Sequence, residues 1–270
     1  MSDVMKQLNE AFSMVSNVFF SYFQIEPIDI EIILAEKISD IYMQKRPDLI
    51  TEENVIDFEK VEFYNGLIIP PKEIDGKFTV IIRKKYFMES SKARDWQWVG
   101  TFTHEMTHVC DFINYARINN LNNYDLVQRE FVHRPFVLWT EFHAKAIGYL
   151  FIRKFAYGDK YNDMSDRGQT DYILQTELPY HINCFLQRYQ SAHGNADIQL
   201  YETMQFMGRY SVWEKLFPNV FNKRVRQQVF GNNPWMYNIY EFLVTHYDLE
   251  SVNKDFDQML DIIKQNFGSF

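Results

Sequence analysis

The chain has 270 residues, 46% of them hydrophobic, and a formal net charge of −8. That is enough apolar content for a full core, in one large domain or two close lobes, and the acidic balance argues against a non-specific nucleic-acid binder. No long apolar run marks a membrane span, the N-terminus MSDVMKQLNEAF lacks the basic and apolar segments of a signal peptide, and two cysteines, Cys110 and Cys184, are too few for a disulfide scaffold. A cytoplasmic protein with no membrane and no nucleic-acid partner is therefore expected.

In chain order, the first element predicted is an amphipathic helix over residues 3–23. IDIEIIL (28–34) is β-branched and alternating, so it reads as a strand. A short helix over 35–43 follows and is broken by Pro47. VEFYNGLIIPP (61–71) and KFTVIIRKKYF (77–87) read as two strands, with Asp75-Gly76 as the turn signal of an antiparallel pair. A long helix is predicted to start at Ser90 or Ser91 as N-cap and to run to about residue 117. Residues 119–130 read as a loop. Pro135 suits the first turn of a helix that reaches about residue 156. After a second loop at 157–171 come helices at about 172–192, 197–215, 220–229 and 235–264. Strands before residue 90 and helices after it make an α+β pattern. Residues 1–116 form an N-terminal lobe and 117–270 a helical lobe of one integrated unit.

The chemistry is concentrated in THEMTH, residues 103–108. On a helix, His104 and His108 fall on nearly one face, the spacing from which two imidazoles can reach one zinc ion. Glu105, next to the first histidine, can take a proton from a water activated by that metal. Gln97, Thr101, His104, His108, Asp111 and Tyr115 share a polar stripe, while Val99, Phe102, Met106, Val109 and Ile113 share the opposite, apolar one. With 7 histidines in the chain, composition alone gives on the order of 0.01 occurrences of H-E-x-x-H.

A catalytic zinc needs a third protein ligand. Six residues after His108 stands Asn114, and no glycine lies between them, which disfavours the arrangement with a third ligand on the same segment. Glu130 falls at a loop edge. Glu141 falls inside the helix after Pro135, with Ala144 and Gly148 on its face, small enough for two helices to approach closely. The alternative for Glu141 is a surface ion pair with Lys145 at i+4. Asp111 is either a group that orients a ligand histidine or a solvated helix-end carboxylate. His133 is either an oxyanion donor at the site mouth or an incidental loop histidine. His143 points away from Glu141, and His181, His193 and His246 have no partner at metal spacing.

HEMTHVCD followed by EFHAKA resembles the zincin metallopeptidases of the gluzincin type, in particular the lethal-factor-like and ImmA/IrrE-like peptidases. The resemblance covers mainly residues 77–150. It implies a zincin-like fold with a small mixed sheet, Zn2+ held by His104, His108 and Glu141, Glu105 as general base, and a peptide or protein as substrate. It also implies that the strand before the active helix, here TVIIRKK, is an edge strand that pairs with an extended peptide. The chain departs from thermolysin-like enzymes in carrying Lys145 where they have an aspartate. It departs from lethal-factor-like ones in carrying His133 and Arg134 where they have a tyrosine. The expectation is a zinc metallopeptidase; the alternative is a non-catalytic binding or regulatory protein that keeps the fold and the metal.

Overall fold

The computed structural model describes residues 3–49, 61–158 and 167–268. Helices dominate a mixed α+β architecture. The elements are α1 (Asp3–Phe23), β1 (Ile30–Ala35), α2 (Ile38–Lys45), β2 (Gly66–Ile69), β3 (Phe78–Arg83), α3 (Lys84–Ala93), α4 (Gln97–Ile118), α5 (Asp125–Arg129) and α6 (Arg134–Tyr157). They continue with α7 (Arg167–Tyr172), a π turn at Ile173–Glu177, α8 (Leu178–Ser191), α9 (Ala196–Leu216), α10 (Lys223–Phe230), α11 (Pro234–Thr245), α12 (Leu249–Lys254) and α13 (Phe256–Phe267). No helix among the described residues is long and apolar enough to cross a membrane.

The three strands lie in the order β1-β3-β2. β3 pairs in parallel with β1, Ile30 opposite Phe78, and antiparallel with β2, Gly66 opposite Ile82. The antiparallel pairing is as expected, but the expected edge strand is the central one. The reason lies in the residues themselves. Phe78, Val80 and Ile82 enter the main core, while Ile81 points the other way into a small cluster with Ala35, Ile38 and Ile69. A run that is apolar on both faces is stable only with both faces covered and neighbours on both sides. The edges are β1 and β2. β2 is shorter than its expected span; residues 61–65 are outside the sheet, and 50–60 lie outside the described residues.

The strand predicted over 77–87 also ends early, because Lys84–Ala93 is helical. Nor does one helix run on from Ser90. Arg94 and Trp96 take left-handed backbone angles, φ 55° and 59°, and separate α3 from α4. Ser90 still caps α4, but from the preceding helix: its hydroxyl accepts the Trp98 N–H at 3.1 Å, and the Asp95 carboxylate accepts the Gln97 N–H at 2.9 Å. Two of the amides orphaned at the start of α4 are thus satisfied. Within the expected loop at 119–130 lies the one-and-a-half-turn helix α5. The helix expected over 235–264 is three helices, with Asp248 capping the second by accepting the Ser251 N–H at 2.9 Å.

α6 lies between α4 and α9. A Cβ on Gly148 would stand 2.5 Å from the Gly100 carbonyl oxygen and 3.2 Å from His104 Cβ, so only glycine allows α4 and α6 to touch at this level. The small face expected beside Glu141 is therefore present, with Ala144 fully buried in it. α1 covers the apolar backs: Phe12 packs on Phe87, Trp98 and Phe102, and Phe19 and Tyr22 pack on Phe151. Val99, Phe102, Met106 and Val109 are buried there, as the apolar stripe of α4 requires. The buried core runs continuously from Phe12 to Ile263. Its aromatics each contribute about 1.5–3 kcal/mol of apolar transfer, and they fix α4 and α6 as a rigid platform.

Candidate metal centre

His104 and His108 project from α4 one turn apart, with their rings perpendicular at 88° and Nε2 facing Nε2 at 3.0 Å. Glu141 reaches them from α6. Its Oε2 lies 3.7 Å from His104 Nε2 and its Oε1 lies 3.7 Å from His108 Nε2. Tetrahedral zinc with bonds of about 2.0–2.1 Å would hold its ligand atoms roughly 3.3–3.4 Å apart. The observed spacings bracket that value, so the three residues could close on a metal ion with little side-chain movement. Two imidazoles and a carboxylate suit a transition-metal ion better than calcium or magnesium, which prefer all-oxygen sites.

The hydrogen bonds assign the proton on His108. The Thr140 hydroxyl donates to Asp111 Oδ2 at 2.7 Å, which spends its one hydrogen. The 2.9 Å contact between Thr140 Oγ1 and His108 Nδ1 must then have the imidazole N–H as donor. His108 Nε2 is left with a lone pair aimed at His104 and Glu141, the state in which a metal ligand is required. Asp111 is buried and also holds His143 Nδ1 at 3.0 Å. So Asp111 is the orienting group, not a solvated helix-end carboxylate, and His143 is its second partner.

Burial lowers both ligand imidazoles. His104 is held well below its ordinary value by desolvation and by the charges of His108 and Lys145; His108 is brought down to about 4 mainly by desolvation. Both are neutral at pH 7. Burial works in the opposite sense on the carboxyls. Glu141 is pushed up to about 7, against the Gln205 hydrogen bond and Lys145, and Glu105 is raised well above its ordinary value by burial and by the Glu141 charge. With a lone pair on His108 Nε2, His104 Nε2–H donates to it at 3.0 Å, a proton that a cation bound between the imidazoles and the two crowded carboxyls would displace.

Glu105 stands outside the set of three converging ligands but lines the same cleft as His104, His108 and Glu141. It lies beneath the edge strand. A Cβ on Gly66 would come within 2.9 Å of Glu105 Oε1 and 2.6 Å of Thr101 Cγ2, so the glycine is what lets β2 lie directly on α4.

His133 is elsewhere. Its ring is buried, its Nδ1 is 2.8 Å from the Tyr115 hydroxyl, and it is not among the residues lining the cleft. Its surroundings are those of a packed core histidine and do not offer an oxyanion donor. The phenol beside Glu105 is Tyr201, from α9, which lines the cleft on both sides of the histidines. Burial and the charges of Glu141, Tyr64, Glu202 and Glu105 keep its pKa well above the ordinary value, so it remains a donor. Gln205, one turn on, donates to Glu141 Oε2 at 2.6 Å. Nothing in the sequence around Tyr201 or Gln205 signals a role, because they reach the site through the crossing of α9 over α6. Thr140 did carry a signal: it is a polar residue in an apolar stretch, directly before Glu141.

Comparisons with protein-family models, with curated proteins and with solved structures find no match for this chain.

Proposed function

We propose that this chain is a zinc-dependent metallopeptidase of the gluzincin type. The observation that carries the reading is the convergence of His104, His108 and Glu141 from two helices, at 3.0–3.7 Å, in a cleft that Glu105 shares without joining the ligand set. When bound there, zinc would supply Lewis-acid polarisation of the scissile carbonyl and would acidify a water molecule.

The protein's own residues do the rest. Glu105 accepts the proton of the attacking water and returns it to the leaving amine. Its burial and the neighbouring Glu141 favour the protonated form, and a cation at the ligand set would offset both by drawing charge from Glu141. Tyr201 takes the role expected of His133: its hydroxyl donates to the oxygen that gains negative charge. Thr140 and Asp111 hold His108 in the binding tautomer, and Gln205 holds Glu141. Gly66, Leu67 and Ile68 of β2 line the cleft, so an extended peptide lies along this edge in place of the expected β3 edge.

The test is the pair Glu105→Gln and His104→Ala. Purified wild type is expected to carry about one zinc per chain and to cleave members of a peptide library. Glu105→Gln should keep zinc and fold while turnover falls by about 10²–10⁴-fold or more. His104→Ala should lose the metal, whereas His193→Ala should not. A wild type that holds zinc but cleaves nothing would favour a binding or regulatory protein; one that takes up no zinc would remove both readings.

A further inference from the structure

The cleft has two sides that differ in charge. On the His108 side a cavity of about 550 Å³ combines apolar walls such as Leu67, Phe112 and Val137 with the acids Glu130, Glu141 and Asp197 and one cation, Arg134. On the His104 side a second cavity, about 490 Å³, is lined by Lys145, Arg188 and Arg209, with Glu202 as the one acid besides the shared Glu105. Tyr64, Gly66, His104, Glu105 and Tyr201 line both, so the two cavities meet at the proposed reaction centre. Three cations in one cavity stand out in a chain whose net charge is −8.

Those cations are poorly answered by the protein. Arg188 is 3.5 Å from Glu202 at the exposed rim. Arg209 bonds the ring of His181 and stacks over Tyr149 at 4.9 Å, neither of them an anion; Glu177 acts on it only from behind the Tyr149 hydroxyl that it binds. His181 is driven down to about 3 by burial and by Arg209 and Lys145, so it adds no charge. Lys145 has no hydrogen-bond or ion-pair partner among the described residues; Glu141 and Glu202 act on it only from beyond contact distance. Burial, Arg209 and Arg188 bring its ammonium down to about 7. A cation on Glu141 would draw that carboxylate's charge away from Lys145 and leave the ammonium still less compensated. Two cations withdrawn from solvent, Lys145 and Arg209, with Arg188 at the rim of the same cavity, are costly to keep together unless an anion is supplied from outside.

The geometry points to a carboxylate subsite: Lys145, Arg209 and Arg188 take an anionic group of the substrate residue next to the scissile bond, either an Asp or Glu side chain or a chain-terminal carboxylate. The assignment of that residue rests on the peptidase reading. The binding of the anion does not.

The test therefore measures binding separately from turnover. Zinc-equilibrated Glu105→Gln protein, which does not consume its ligand, is titrated calorimetrically with four amide-capped or free-acid hexapeptides. One pair differs only by glutamate against glutamine at a central position, the other only by a free C-terminal carboxylate against its amide. The charged member of one pair should bind about tenfold more tightly or better. Preference in the first pair identifies a side-chain carboxylate and in the second a chain terminus. Added Lys145→Met should remove most of the preference, and Arg188→Gln, at the exposed rim where the fold is not at risk, should reduce it about threefold. Equal binding within each pair, or no binding by any of the four, overturns the subsite, as does a preference that both variants leave unchanged. A preference that both variants reduce, in a protein whose wild type hydrolyses none of the four, keeps the subsite and removes the peptidase reading.

Discussion

Two buried polar clusters, both reached from helices around the small sheet, handle charge in opposite ways. Around Arg46 the charges are paired, although Asp125 Oδ1 is buried without a partner. Its guanidinium donates to Asp125 Oδ2 at 2.6 Å, to Asp48 Oδ2 at 3.0 Å and to the Pro70 carbonyl at 3.1 Å. These bonds tie the end of α2, the exit of β2 and the start of α5 into one knot. Around His104 and His108 the charge is left unanswered: across the site the two imidazoles bond only each other, at 3.0 Å, and two carboxyls crowd beside them with no cation in contact. A cluster that neutralises itself explains a fold. One that does not calls for something brought from outside, and the same holds for the cations of the neighbouring cavity.

The comparison breaks most directly on stability. Asp125→Ala leaves the almost wholly buried Arg46 guanidinium with only Asp48 and the Pro70 carbonyl, and should cost about 1–3 kcal/mol of folding stability. Glu141→Gln, at a carboxylate just as central, should leave the zinc-free fold intact, because it removes a buried acid without orphaning a buried charge. It should nevertheless abolish tight zinc binding. Denaturant titration of both variants with and without zinc decides this: equal losses of apo stability would mean that Glu141 is structural after all.

The motif helix, the helix carrying Glu141 and the small residues between them were legible in the sequence, because each is a local pattern at 3.6-residue spacing. The sheet order was not. TVIIR is apolar on both faces and for that reason sits in the middle, whereas the family resemblance implies an edge. Arg94 and Trp96 break a continuous helical pattern with left-handed backbone angles that neither residue type announces. Tyr201 and Gln205 were invisible, since only the crossing of α9 over α6 brings them to the site.

A smaller effect sharpens the reassignment from His133 to Tyr201. Tyr201→Phe keeps the ring and its packing and removes only the hydroxyl, so kcat should fall about 10²–10³-fold with little change in KM. His133→Gln should leave kcat unchanged and cost about 0.5–1.5 kcal/mol of stability through the lost bond to Tyr115. The reverse pattern in steady-state kinetics would return the oxyanion role to the loop.

The smallest expected effect tests the finest distinction between the clusters. In the Arg46 knot hydrogen bonds neutralise charge; at His108 they choose a tautomer. Thr140 relays between Asp111 and His108 with one hydrogen and one acceptor, and it is fully buried. Thr140→Val keeps the shape of the side chain but removes both functions. His108 Nδ1–H then loses its acceptor, and the tautomer with the proton on Nε2, pointing into the ligand set, becomes competitive. Zinc affinity should fall about 10–100-fold, while His104 and Glu141 still bind and the fold persists. Competition with a chromophoric chelator measures the change. An affinity within twofold of wild type would mean that Thr140 only packs, and that the lone pair on His108 Nε2 is set by the metal itself rather than prepared by the protein.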